Sequence, residues 1–314
     1  MKRSPLLVIF ITVLIDLIGF GIVIPVLPFY VESPQFGATP AVLGWLLASY
    51  SIMQLIFTPI LGRLSDKYGR RPVLLLSLIG TGIGFLVMGM ATTLWLLFAG
   101  RILDGITGGN ISTAQAYVAD VTTPENRARG MGMVGAAFGL GFIIGPAIGG
   151  TLSQWGISVP FLFAAGLAFA NAVLLYFVLP ETVTPNRTTH AAQRSWALMF
   201  GKLVEPRFAY VLGIYFLLIV AFSIMTPAFA LYTMYRYGYN ARDNGYLFAF
   251  IGLIAAVLQG GLIGRLVKHY GEPPHRARRG ALGCRPLAMP LMGPQTGGLF
   301  GLLAVLALLA TVTR

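Results

Sequence analysis

The chain has 314 residues, 56% hydrophobic and only 10% charged, with a mean hydropathy of +0.78. A soluble domain usually carries about a quarter charged residues, so water is excluded as the solvent for much of this surface. The net charge of +12 does not point to nucleic acid, because the basic residues sit in short clusters between apolar runs rather than in a stripe interleaved with aromatics.

Eight apolar spans follow one another, at about 6–29, 42–62, 73–93, 95–118, 130–152, 158–179, 208–235 and 244–264. Each meets the roughly 20 residues that a helix rising about 1.5 Å per residue needs to cross hydrocarbon. The first follows Met1-Lys2-Arg3 but is too long for a signal peptide, holds Asp16, Pro25 and Pro28, and lacks a small-residue cleavage site. It reads as a retained helix. Asp16 lies near mid-membrane, where a carboxylate costs about 2.5–3.5 kcal/mol and must face a cavity or a partner. There it can bind a proton or a cationic solute, or sit neutral and bonded to a neighbouring helix.

The second span runs into the charged stretch Arg63, Asp66, Lys67, Arg70 and Arg71, read as a loop. Gly80, Gly82 and Gly84 mark the third span as a close-packing surface. In the fourth, Arg101 and Asp104 are three residues apart, on one helix face, where they can neutralise each other. The fifth carries Gly135, Gly139, Gly141 and Gly145 before Pro146, Gly149 and Gly150; Pro146 is expected to break it, since proline lacks a donor and clashes one turn back. Gln54, Asn110, Gln115 and Asn171 are polar groups within spans, read as bonding helices together rather than lining a path.

Orientation follows from the loops. With a cytoplasmic N-terminus, inside loops hold Arg63, Lys67, Arg70, Arg71, Arg127, Arg129, Arg187, Arg194, Lys202, Arg207, Arg265, Lys268, Arg276, Arg278 and Arg279. Outside loops hold only Arg236 and Arg242, a one-sided bias. Asp120 and Glu125, with Arg127 and Arg129, offer a further charged group on the inner side.

Four regions result: a six-helix bundle over 1–180, a polar cytoplasmic linker at 181–206, a partial second bundle at 207–274, and a divergent Arg/Pro/Gly-rich tail at 275–314. A weak repeat relates Gly62-Arg63-Leu64 through Tyr68-Gly69 to Gly264-Arg265-Leu266 through Tyr270-Gly271, as in transporters built from two parallel halves. The apolar run 299–312 is about 20 Å long, short for a bilayer, and suits an interfacial or re-entrant segment. His190, His269 and His275 lie in loops or the tail, away from any membrane relay. One cysteine, Cys284, allows no internal disulfide. With no metal-ligand cluster, nucleophile–base pair or phosphate loop in view, neither an enzyme nor a cofactor is expected.

Three motifs carry a resemblance. Gly62-Arg63-Leu64-Ser65-Asp66-Lys67-Tyr68-Gly69-Arg70-Arg71 resembles the second-to-third helix signature of the major facilitator superfamily. Gly141-Phe142-Ile143-Ile144-Gly145-Pro146-Ala147-Ile148-Gly149-Gly150 resembles its antiporter signature, and Asp16 through Pro28 is similar to the first-helix signature of drug:proton antiporters. With Arg101 in the fourth span, the match points to the tetracycline and multidrug efflux branch and covers about residues 5–274.

The resemblance implies an all-α integral membrane fold with a complete first bundle and, here, an incomplete second one. It implies alternating access coupled to protons, export of a lipophilic drug-like solute, and a monomer in the inner (plasma) membrane. It makes Arg101 part of proton coupling, the Gly145-Pro146 bend a control on leak, and Asp66 with Arg70 and Arg71 a latch onto an eleventh helix that this chain lacks. Asp104 stands where some efflux relatives have a small polar residue. The other reading is a truncated or frame-shifted remnant that does not transport.

Overall fold

The computed structural model describes residues 5–182 and 206–257. Most of the linker, the repeat after Gly264, the three histidines, Cys284 and the 299–312 run lie outside the described residues. So does the end of the eighth span.

The described residues are helical, with no strand. The helices are α1 (Pro5–Val31), α2 (Pro40–Tyr68), α3 (Arg70–Gly89), α4 (Leu94–Thr107), α5 (Asn110–Val121), α6 (Pro124–Leu152), α7 (Val159–Val178), α8 (Pro206–Tyr237) and α9 (Ala241–Val257). A 3-10 turn at Ser153–Trp155 leads from α6 toward α7. Among the described residues, five helices, α1, α2, α3, α6 and α7, are long and apolar enough to cross a membrane.

Three local features differ from the sequence reading. The charged stretch after the second span is not a loop: α2 continues to Tyr68 and α3 begins at Arg70, leaving Gly69 alone between them. Gly69 has φ +108, a conformation that costs a residue with a Cβ far more than glycine. A Cβ there would also strike the Glu181 carboxylate.

The fourth span is two helices, α4 and α5, parted at Gly108–Gly109. Two successive glycines each cost a helix about 1 kcal/mol relative to alanine, and α2 crosses close beside them. A Cβ on Gly109 would lie 2.6 Å from Leu61. Gln54 Nε2 donates to the freed Gly108 carbonyl at 3.1 Å, so the break keeps a polar partner inside the bundle.

The expected break at Gly145-Pro146 is absent, and α6 runs on to Leu152. Gly21 of α1 and Gly245 of α9 lie close on either side of this turn, and neighbouring helices commonly support a proline within a membrane helix.

Glycines decide which helices meet. The parallel pair α1 and α6 touch backbone to backbone. A Cβ on Gly141 would lie 2.6 Å from Leu17 Cβ, and one on Gly145 would lie 2.7 Å from Gly21 Cα. On the neighbouring face of α6, a Cβ on Gly150 would lie 3.0 Å from Gly245 Cα at the start of α9. Helix α3 meets α4 in the same way, with a Cβ on Gly84 placed 2.9 Å from the Gly100 carbonyl oxygen.

Two apolar clusters fill the bundle. One gathers Ile22, Tyr30, Phe85 and Phe161; the other gathers Leu17, Leu74, Leu78 and Tyr117. The periphery is as apolar as the core: Trp95 is 84% exposed, Phe177 78% and Leu55 76%. Such a surface matches hydrocarbon rather than water.

The chain divides into two compact units. The first is Met1–Ala192 with Ala230–Ala249, so the adjoining ends of α8 and α9 belong with α1–α7. There Tyr235 donates to Glu32 at 2.5 Å, and the Thr151 and Tyr246 hydroxyls lie 3.2 Å apart. The second unit is Gln193–Phe229 with Phe250–Arg314. Within it, the Thr226 hydroxyl bonds back to the Phe222 carbonyl at 2.9 Å, one turn earlier in α8.

Two glycines of α6 therefore differ sharply. Gly145→Ala should destabilise the protein by about 1–3 kcal/mol, as overpacking does. Gly139→Ala meets nothing within 4 Å and should be neutral or stabilising by up to about 1 kcal/mol. Melting of the two variants in detergent measures the difference.

Candidate functional site

Asp16, Arg101 and Asp104 come together around the break between α4 and α5. Arg101 and Asp104 are each 3% exposed, and the guanidinium Nη1 lies 3.3 Å from Asp104 Oδ2. The guanidinium also lies over the Tyr50 ring, 4.4 Å from its centroid, a favourable position for a desolvated cation. Thr81 on α3 hydrogen-bonds Asp104 from the other side. Arg101 Nε has no partner among the described residues.

Asp16 is not part of that ion pair. It is half-buried, and its Oδ2 accepts a 2.6 Å hydrogen bond from Asn110 Nδ2 at the first residue of α5. Asn110 Oδ1 in turn accepts from the Ile111 amide at 2.9 Å, which fixes the side chain at the helix start. The break thus delivers an amide to mid-membrane that a continuous helix would turn elsewhere. Phe20, one turn beyond Asp16, has its ring 6.2 Å from both Tyr50 and Phe142, which gathers three aromatic rings from α1, α2 and α6.

A second charged group occupies the end of the bundle where α2 meets α3. Arg70 reaches Asp66 at 2.6 Å, Asp120 at 3.0 Å and the Ser65 hydroxyl at 2.6 Å, tying α2, α3 and α5 together. Glu181, just past α7, accepts from the Arg70 amide at 3.0 Å and the Arg71 amide at 3.1 Å. Those amides are unsatisfied donors at the start of α3, where a carboxylate is the preferred partner. Arg71 donates to the Tyr176 carbonyl and lies over the Tyr176 ring. Asp120 joins this network as the sequence suggested. Among the described residues, Glu125 and Arg129 have no ion pair in it, and Arg127 reaches the Ala119 carbonyl at 3.4 Å.

The antiporter signature serves two neighbours. Gly141, Gly145 and Gly149 face α1 over the turns that follow Asp16, while Gly150 faces α9. Gly62 of the other signature has open space around it and no positive φ. Nothing in the structure explains it.

Sequence reading missed Glu181, Tyr50 and Tyr176. The first was set aside as the start of the linker, and one tyrosine in a span carries no local signal. Gln54 and Asn110, read from the sequence as groups that bond helices together rather than line a path, do make interhelix bonds, and both lie at the helix break.

The sequence profile of the Major Facilitator Superfamily matches residues 9–313. The chain is 38% identical to the class H tetracycline resistance protein of Pasteurella multocida, over 87% of this chain and 69% of that protein. It is 36% identical to the class B tetracycline resistance protein of Escherichia coli, over 82% of this chain and 65% of that one. It therefore spans about two thirds of the length of these curated relatives. Among solved structures it is similar to the human organic anion transporter MFSD10 (TETRAN), with TM-score 0.65 and 28% identity, covering 83% of this chain and 72% of that one.

The buried pair makes a prediction of its own. Arg101→Met alone or Asp104→Leu alone strands a charge and should cost about 3–5 kcal/mol, whereas the double variant should recover most of that stability. Melting of the single and double variants in detergent is the check.

Proposed function

The chain belongs to the Major Facilitator Superfamily, and we propose that it exports a lipophilic, drug-like solute of the tetracycline or multidrug type in exchange for protons. One observation carries the reading. Among the described residues, the charges deep in the bundle are Asp16, Arg101 and Asp104, and the last two are paired. Asp16 is left as the carboxylate whose charge can change without stranding a partner.

The family is one of transporters, and the chain is a multi-pass membrane protein; the rest is our reading. Asp16 carries a proton in one state and interacts with solute in the other. The two states favour opposite-facing conformations, since a ligand shifts an equilibrium only by its differential affinity. Phe20, Tyr50 and Phe142 supply apolar faces for the body of the solute. Arg101 and Asp104 hold the field around Asp16. The Arg70 network rigidifies the inner end of the bundle, and the one-sided distribution of loop charges supports a cytoplasmic N-terminus. The two tetracycline resistance relatives support the solute class.

Everted membrane vesicles from expressing cells test this. With an acidic lumen they should accumulate tetracycline, and a protonophore should abolish the uptake. Asp16→Asn should bring uptake to background at equal protein in the membrane. Full uptake by Asp16→Asn would remove Asp16 from the mechanism, and no uptake by the parent chain would remove the transport reading.

A further inference from the structure

Asn171 lies in the middle of α7, where Ala168, Ala172 and Leu175 are buried around it, and it is 0% exposed. Its Nδ2 donates at 2.8 Å to the backbone carbonyl of Thr12 on α1. That carbonyl has a place in the chemistry of the site. In the i to i−4 ladder of α1 it is the acceptor for the amide of Asp16. Asn171 therefore grips α1 at the turn that carries the carboxylate, from α7, while Asn110 meets Asp16 from α5.

The grip is not explained by satisfaction of polar groups. Asn171 Oδ1, Thr12 Oγ1 and, on α3, Ser77 Oγ are buried with no hydrogen-bond partner among the described residues. Burying an amide with half its bonding capacity unmet is unfavourable, and an apolar side chain would carry no such cost in this seam. What the amide alone supplies is a directional tether. On its α6 side, α1 rests at Leu17 against Gly141, a smooth surface that sets distance but resists rotation weakly.

We propose that Asn171 is a positioning residue for Asp16: by holding the Thr12 carbonyl, it fixes the height and rotation of α1 so that Asp16 meets Asn110. The consequence for transport rests on the reading of Asp16 as the proton site; the placement of Asp16 does not.

The test therefore reads Asp16 directly. The full chain in detergent is treated with dicyclohexylcarbodiimide, and modification of the Asp16 peptide is followed by mass spectrometry, with or without export activity. Asn171→Leu and Asn171→Ala, each confirmed monodisperse, should label Asp16 about tenfold faster than the parent, the worth of losing one hydrogen bond to a charged group. In an Asn110→Ala background the same substitutions should change labelling by less than about twofold, because residues acting through one bond are non-additive. Unchanged labelling in the single variants overturns the proposal. So does a full effect in the Asn110→Ala background, or loss of the folded state in both variants, which would make Asn171 a determinant of folding instead. Failure of the export reading would show separately, as no tetracycline uptake by vesicles carrying the parent chain, and failure of the proton-site reading as full uptake by Asp16→Asn vesicles.

Discussion

A guanidinium in hydrocarbon must be met by an anion or driven out to the interface. Arg101 is met within its own helix by Asp104, one turn on, and the Tyr50 ring covers its face. Much follows from this internal neutralisation. It lets α4 bury both groups against α2 and α3, and it uses up the cation that would otherwise pair with Asp16. The carboxylate on α1 is then held by a neutral amide, so protonating it breaks no ion pair. Were Arg101 shared between the two carboxylates, neither would be free to change charge.

Such an arrangement needs close backbone approach, which glycine provides. Gly84 and Gly100 bring α3 against α4 beside Asp104; Gly21, Gly141 and Gly145 bring α6 against α1 beside Asp16. With no hydrophobic force between helices in lipid, packing of this kind and polar bonds between helices hold the bundle together. Three such polar bonds surround the site: Gln54 to the broken helix, Asn110 to Asp16, and Asn171 to the turn below it.

That the chain is a multi-pass bundle of apolar helices was legible in hydropathy, because span length and charge scarcity are additive properties that a single sequence displays. The pairing of Arg101 with Asp104 was legible too, since i,i+3 spacing is local. The break at Gly108–Gly109 was not: it reads as a continuous apolar run, and it forms because α2 approaches and Gln54 takes the freed carbonyl. Pro146 misled in the opposite direction, its local tendency to break a helix being overridden by neighbours on both sides. Glu181 was invisible because its value lies in the amides of Arg70 and Arg71, more than a hundred residues earlier. Tertiary context, not composition, decided each of these.

The central claim is that solute and proton compete for one carboxylate, and proton release on binding tests it most directly. Tetracycline added to the purified chain in weakly buffered detergent should release protons, approaching roughly one per bound solute as the pH is lowered until Asp16 is fully protonated in the free chain, as linkage requires. The Asp16→Asn chain should release none while remaining folded. Release of the same size from Asp16→Asn would contradict the account and move the coupling to another group.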